Sequence, residues 1–426
     1  MNFTRHTRSF RIPLAVLGGT ALTGGLVYAA TASAAAPAAP GGWVQSWAAA
    51  PQRPVAGNED DGANWSTTGF KDQSLRQVIR VGQGGARVRI RLSNRYGTKP
   101  LKVAGATVAR SAGGAQAWPD TSARVTFGGA ASVMVKPGAE LVGDPVALST
   151  SPLEKLAVTL RFTSATGPAT FHRFTTQAAY LAKGDHTADP AGGAFTASTD
   201  ALYYLTGVDV AGGKVAGTAV AFGDSLVDGT GSTGEGRWPD VLAGRLLTAG
   251  RPATSVNAGI AGNQLLADSP CFGDKALTRF RKDVLDVPGV RSVLIHLGAN
   301  DIGASQVQNE CQRRAAPVTP QELIAGHREL IRAAHSRGVK ATGVTVLPLK
   351  GALFPIWSPE GEKARQGFNH WIRTSGEYDA VLDADRAMAD PADPDRSLLA
   401  YTFQDGLHPN DAGHQAIARA ADLGAL

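Results

Sequence analysis

The pattern of apolar and polar positions changes once along the chain, near Val215. Between Trp43 and about Leu205 the two kinds alternate in short runs: Gln77–Val81, Arg87–Ser93, Val103–Ala109, Val133–Lys136, Leu156–Phe162 and Ala201–Leu205. Gly, Pro, Asn and Asp punctuate them. Period two sends successive side chains to opposite faces of a strand, so residues 43–205 are expected to form an all-β sandwich or jelly-roll domain. Beyond Val215 strand-like runs (Val215–Phe222, Ser255–Asn257, Arg291–Leu297, Lys340–Leu347, Ala380–Asp383) alternate with helical patterns near Trp238–Ala249, Lys275–Val284, Pro320–Arg337, Pro359–Ser375 and Asp411–Leu423. Thr319, Pro320 and Glu322 make a cap, first-turn proline and capping box, and Ser358-Pro359 repeats the cap-then-proline device. Strand–helix alternation predicts a parallel sheet with helices on both faces over 215–426. Active sites in such folds lie at the carboxyl ends of the strands.

The first residues have a different pattern. A basic stretch ends at Arg11, an apolar run extends from Ile12 to about Ala30, and Ala32-Ser33-Ala34 offers an A-x-A cleavage site. Residues 1–34 therefore read as a secretory signal peptide and 35–42 as an Ala/Pro/Gly linker, with a retained membrane anchor as the rival reading. The expected product is a secreted, extracellular monomer with no stable membrane insertion. The formal charge of +6 then overstates the mature chain: the leader holds Arg5, Arg8 and Arg11 and no acidic residue, so its removal leaves +3. No block of Lys and Arg interleaved with aromatics points to nucleic acid. Arg87, Arg89 and Arg91 alternate with Val88, Ile90 and Leu92 and read as the solvent face of one strand. Cys271 and Cys311 form an even pair in an exported chain and read as one disulfide on the rim of the active site, against two separate thiols. No Cys or His stands at ligand spacing near either, so no metal is expected, and nothing calls for a cofactor.

Four blocks carry candidate chemistry. Gly223-Asp224-Ser225 follows an apolar strand. Asn257-Ala258-Gly259-Ile260-Ala261-Gly262 follows a second, and Gly298-Ala299-Asn300-Asp301 follows the strongest. Asp405-Gly406-Leu407-His408-Pro409 precedes the last helix. Alone, each reads as a turn or a helix cap. Together, in the order GDS, NxGxxG, GxND and DxxHP, they resemble the GDSL/SGNH serine hydrolase family from Val215 to the end of the chain. The segment WVQSWAAAP at Trp43–Pro51 is similar, more loosely, to the β-domain that precedes the catalytic domain in some secreted members.

The resemblance implies a three-layer α/β/α catalytic domain of flavodoxin-like order and ester hydrolysis without metal or cofactor. Ser225 would be the nucleophile, His408 the general base and Asp405 the residue that orients it. The oxyanion hole would be the backbone N–H of Ser225, the backbone N–H of Gly262 and the Asn300 side-chain amide; spacing leaves Gly259 open as the alternative glycine. Val227 stands where a Gly-x-Ser-x-Gly elbow would have its last glycine, which disfavours the α/β-hydrolase fold. Asp224 and Asp301 read as structural, His172 and His186 as ordinary β-domain residues without partners. Trp238, Trp357 and Trp371 read as packing groups that could also line an acyl pocket. The substrate is expected to be a small-molecule, lipid or polysaccharide ester, with a broad esterase, lipase or phospholipase preferred and a carbohydrate O-acetylesterase as the alternative. A glycan-binding module with a degenerate hydrolase domain is the rival of another class, opposed by the intact Ser, Asp, His and Asn.

Overall fold

The period-two runs fold as strands, and the strand–helix alternation after Val215 folds as a parallel sheet. The computed structural model describes residues 42–57, 62–307, 309–312 and 314–426. The expected leader 1–34, and the linker 35–42 apart from Gly42, lie outside the described residues.

The first region holds two main antiparallel sheets. One has the order Val44–Ala48, Leu205–Ala211, Arg87–Ser93, Glu140–Val142. The other runs Ala197–Thr199, Ala179–Lys183, Gln73–Arg80, Lys155–Phe162, Gly105–Gly113, Gln116–Ala117, with Ala123–Val125 beside Gly105–Gly113. Their apolar faces share one core that includes Leu75, Ile79, Val88, Ile90, Leu92, Val158 and Leu160, all fully buried. The run expected over Ala201–Leu205 is interrupted at Tyr204, which has φ 60°, and resumes as Leu205–Ala211. That last strand pairs with the first, Val44 opposite Val210.

The arginine strand departs from expectation. Val88, Ile90 and Leu92 face the core as the alternation requires, but Arg89 and Arg91 do not simply face solvent. Both bond the wholly buried Asp209, at 2.7 and 2.9 Å, and the Arg89 guanidinium lies 4.3 Å from the Trp43 ring centroid. Asp209 stands directly opposite Arg89 on the neighbouring strand. A buried carboxylate needs such partners, and a partner 120 residues away leaves no trace in a local pattern.

The second region is a five-stranded parallel sheet of order Ala253–Gly259, Gly217–Gly223, Val290–His296, Lys340–Val344, Ala380–Leu382. The first strand in sequence thus lies between the second and third, which makes its carboxyl end a topological switch point. Gly223 is in register with both Gly259 and His296, so three strand ends are level and the segments leaving them emerge side by side. Helices follow at Trp238–Thr248, Pro320–His335, Pro359–Thr374 and Asp411–Ala420. The Thr319 capping box is formed in both directions, and Ser358 accepts from the Gly361 N–H at 3.0 Å. The helix expected over Lys275–Val284 is α-helical at Ala276–Phe280 and widens to a π-turn at Arg281–Leu285.

The two regions are joined by many polar contacts. Gln45 N–H donates to Pro288 O (3.0 Å) and Gln45 O accepts from Thr218 Oγ1 (3.0 Å). Arg95 pairs with Asp283 (3.1 Å), and Arg53 and Tyr96 both reach Asp274 (2.5 and 2.8 Å). No described helix is long and apolar enough to cross a membrane.

Candidate active site

Ser225 opens a one-turn helix, Ser225–Asp228, immediately past the switch-point strand. Asp224 caps that turn by accepting from the Leu226 N–H at 3.0 Å, and the buried Trp238 indole N–H donates to Leu226 O at 2.9 Å. Gly223 is required by close approach: a Cβ there would lie 2.2 Å from the Val227 side chain and 2.5 Å from His296 O. Arg279, fully buried, binds the two strand ends together. It donates to Gly223 O (2.7 Å), Ala258 O (2.8 Å) and Asn263 Oδ1 (2.9 Å), and pairs with Asp283 (3.1 Å).

The Asp405–His408 segment arrives from the far end of the sequence as a tight turn. Asp405 Oδ1 accepts the backbone N–H of Leu407 and of His408, both at 2.9 Å, and Oδ2 accepts from His408 Nδ1 at 2.5 Å. His408 Nε2 lies 2.8 Å from Ser225 Oγ. Burial pushes the Asp405 carboxyl up, but the bonds from His408 and the two backbone N–H groups outweigh it and hold it down at about 2. Phe354 stacks on the imidazole, centroids 6.2 Å apart, and Leu353 N–H donates to Asp405 O at 2.8 Å. Ser225, His408 and Asp405 thus form one hydrogen-bonded line.

The expected anion-binding groups lie beside it. Neither the Ser225 nor the Gly262 backbone N–H donates to any described residue. The Gly259 N–H is engaged, donating to Asn257 Oδ1 at 2.8 Å, so of the two glycines Gly262 has the available donor. Gly262 has φ 75°, and a Cβ on it would fall 2.4 Å from the Phe272 ring. The Asn300 amide is oriented at both ends: Nδ2 donates to Asn263 O (3.1 Å) and Oδ1 accepts from Gln312 Nε2 (3.3 Å). Asp301 accepts the Leu265 and Leu266 N–H groups (2.8 and 3.0 Å), tying the two loops together. Cys271 and Cys311 form a disulfide between those same loops, and Ser269 Oγ donates to Cys311 O at 2.7 Å.

Ser225, Gly262, Asn300, Asp405 and His408 line one cavity of about 1180 Å³. Its apolar wall includes Phe174, Phe272, Phe354, Ile356 and Phe403. None of the three tryptophans singled out in the sequence lines it. Trp238 is core, Trp371 stacks on Phe368, and Trp357 is exposed. Among the described residues, one group of metal-binding side-chain types clusters, Cys271, Glu310 and Cys311, but its sulfurs are spent in the disulfide.

His172 corrects the sequence reading. It is buried and has two partners, Ala50 O at 2.9 Å from Nδ1 and Asp228 Oδ1 at 3.0 Å from Nε2. His186 also has neighbours, Asp189 and Lys183 O. Asp228, Arg279, Phe272 and Phe354 were not singled out in the sequence. Their partners are remote in the chain, and only the proximity of Asp228 to the GDS block could have drawn notice.

A parallel sheet with a Ser–His–Asp line at its switch point is the architecture of an α/β hydrolytic domain. The model of the GDSL-like lipase/acylhydrolase family matches residues 221–416. Residues 221–416 accordingly match a domain of that family, for which ester hydrolysis is the implied activity. A search of curated proteins gave no match. Among solved structures, the chain is similar to a GDSL-like lipase from Bacteroides thetaiotaomicron (17% identity, 48% of this chain and 84% of that one, TM-score 0.35). It is also similar to a carbohydrate acetylesterase from Sinorhizobium meliloti (19%, 48% and 95%, TM-score 0.36). A third is an aryl esterase of M. smegmatis (18%, 48% and 96%, TM-score 0.37).

Proposed function

We propose that the protein cleaves carboxylic esters through an acyl-enzyme on Ser225. The observation that carries this reading is the 2.8 Å contact of His408 Nε2 with Ser225 Oγ, with Asp405 held on the other ring nitrogen. Asp405 accepts from Nδ1–H, so the lone pair on Nε2 faces the serine O–H. His408 takes that proton as Ser225 Oγ bonds to the acyl carbon, and the carbonyl π electrons move onto oxygen. The oxyanion is met by the free N–H groups of Ser225 and Gly262 and by the Asn300 amide. Collapse expels the alcohol, which takes the proton from His408, and water then repeats the sequence in reverse on the acyl-serine.

The phenylalanine wall supports an apolar acyl group, and a broad esterase or lipase is the preferred substrate class. Export is part of the same proposal, supported by the basic-apolar-AxA leader and by the disulfide. Ser225→Ala should abolish hydrolysis of p-nitrophenyl acetate and labelling by a fluorophosphonate while melting as the parent does. Labelling of a different serine in the parent would overturn the assignment. A series of longer p-nitrophenyl esters tests the acyl preference: a rate that collapses beyond acetyl would favour the O-acetylesterase reading.

A further inference from the structure

Asp228 ends the turn that Ser225 begins. Its carboxylate is 1% exposed, and both oxygens are occupied. Oδ2 accepts the backbone N–H of Ala261 at 2.9 Å, the residue immediately before Gly262. Oδ1 faces Nε2 of His172 at 3.0 Å, and His172 comes from the antiparallel region, 56 residues earlier. The other ring nitrogen, Nδ1, lies 2.9 Å from Ala50 O, a group that can only accept. A ring between a carbonyl oxygen and a carboxylate oxygen must donate from both nitrogens, which makes it an imidazolium. Burial disfavours that charge, but Asp228 and the Ala50 carbonyl outweigh it and hold the His172 pKa above its ordinary value.

The next residue lies against the same loop. Arg173 N–H donates to Gln52 Oε1 at 2.9 Å, and the Arg173 guanidinium lies 5.6 Å from the Phe272 ring centroid. Phe272 is the ring packed on Gly262. Arg237 is committed to Asp240 at 2.6 Å, and its hydrogen bond to Asp228 goes to the backbone carbonyl. Within this cluster the side-chain cation on the Asp228 carboxylate is therefore His172.

We propose that His172 is a positioning residue for ester hydrolysis: through Asp228 it anchors the Ala261 N–H, in the peptide unit just before that of Gly262, and so holds the turn that aims the Gly262 N–H at the oxyanion. The antiparallel region is then part of the catalytic apparatus. This rests on the acyl-enzyme reading of the site. Removing the imidazolium leaves a buried carboxylate uncompensated, and Asp228 must draw water or turn away from Ala261. A donor displaced by a fraction of an ångström loses transition-state stabilisation and leaves ground-state binding largely intact.

The test uses the full chain with His172→Ala, Asp228→Asn and the double variant. Each single change should lower kcat on p-nitrophenyl acetate by about 10- to 100-fold, below the cost of deleting an oxyanion donor outright. KM should stay within about threefold. An alkylboronic acid, whose serine adduct places an anionic oxygen in the hole, should lose affinity by the same factor as kcat. The double variant should be no worse than the poorer single one, because both changes break one network. A merely structural pair would lower the melting temperature and leave kcat and boronate affinity within about twofold; that result, or fully multiplicative losses, would overturn the proposal. Should His172→Ala not fold, the near-isosteric Asp228→Asn decides alone. The two readings fail separately. Hydrolysis by Ser225→Ala sinks the acyl-enzyme, whereas an inert Ser225→Ala beside a fully active His172→Ala sinks only the role given to His172.

Discussion

Replacing Asp405 by Asn changes a single atom type in the proposed triad, and its effect can be worked from the bonds present. Asp405 Oδ1 accepts two backbone N–H groups, from Leu407 and His408, at 2.9 Å each. An asparagine must keep its carbonyl oxygen there, since its amide would otherwise set N–H against N–H. The amide nitrogen then takes the place of Oδ2, 2.5 Å from His408 Nδ1. It can only donate, so Nδ1 must present a lone pair and the ring proton moves to Nε2. Nε2 faces Ser225 Oγ at 2.8 Å, and once protonated it cannot receive the serine proton. A wrong tautomer of this kind costs about 10⁴ in kcat, equivalent to about 5 kcal/mol of barrier. His408→Ala should cost more, about 10⁶, because no base remains. The fold should persist, since both backbone bonds survive. Initial rates with p-nitrophenyl acetate, and the rate of fluorophosphonate labelling, measure the effect. An Asp405→Asn variant within about tenfold of the parent would show that Asp405 does not set the tautomer, and the proposed line would need another orienting group.

Hydrolysis should survive exhaustive EDTA treatment, because the one cluster of ligand types among the described residues has its sulfurs in a disulfide; loss reversed by a single divalent ion would reveal a metal requirement. Changing Cys271 and Cys311 together to Ser opens a 40-residue separation, worth about 4 kcal/mol in the chain-entropy model. Melting temperature and turnover should both fall, since the bridge joins the loops carrying Gly262 and Asn300, and unchanged turnover at moderate temperature would separate the bridge from the site. His414 is buried and desolvation holds its pKa down at about 4. The unfolded chain, at about 6.5, takes up the proton first, so stability is lost as pH falls from about 6.5 towards 4. His414→Gln should therefore reduce the loss of unfolding free energy between pH 7 and pH 4.5 by about 2–3 kcal/mol, measured by urea titration; an unaltered pH slope would refute the neutral buried ring. The comparison with the parent matters, because burial raises Asp224 to about 7 and Asp301 to about 6, and these stabilise in the opposite sense as pH falls.

Much of the second region was legible because its signals are local. Strands buried on both faces read as continuous apolar runs, and the Thr319 box and Ser358 cap mark helix starts within a few residues of sequence. The candidate site was legible for a related reason. In a parallel sheet every strand ends on the same side, so three motifs that each follow a strand must meet. Spacing alone did not decide between Gly259 and Gly262; only the family resemblance pointed to Gly262. The choice depends on which N–H Asn257 occupies, and Gly259, the last residue of its strand, is only three positions before Gly262 in the turn that follows. Trp238 and Trp371 pack as the sequence reading preferred: Trp238 is core and gives its indole N–H to Leu226 O, Trp371 stacks on Phe368, and phenylalanines line the cavity instead.

Part of what the sequence concealed lies in contacts between the two regions. Asp228, Asp274 and Asp283 belong to the hydrolase region, yet His172, Arg53 with Tyr96, and Arg95 supply partners from the antiparallel region. A carboxylate such as Asp283, 3% exposed, is costly to bury without compensation. The antiparallel region also supplies part of the cavity wall, from Arg173 to Thr176. Texture along the chain separates the regions cleanly because each has its own periodicity. Electrostatics does not, because the charges of Asp228, Asp274 and Asp283 are balanced across the boundary. The unit that carries the proposed chemistry is therefore larger than the stretch that carries its motifs, and the residues that make it so are those with ordinary neighbours in sequence.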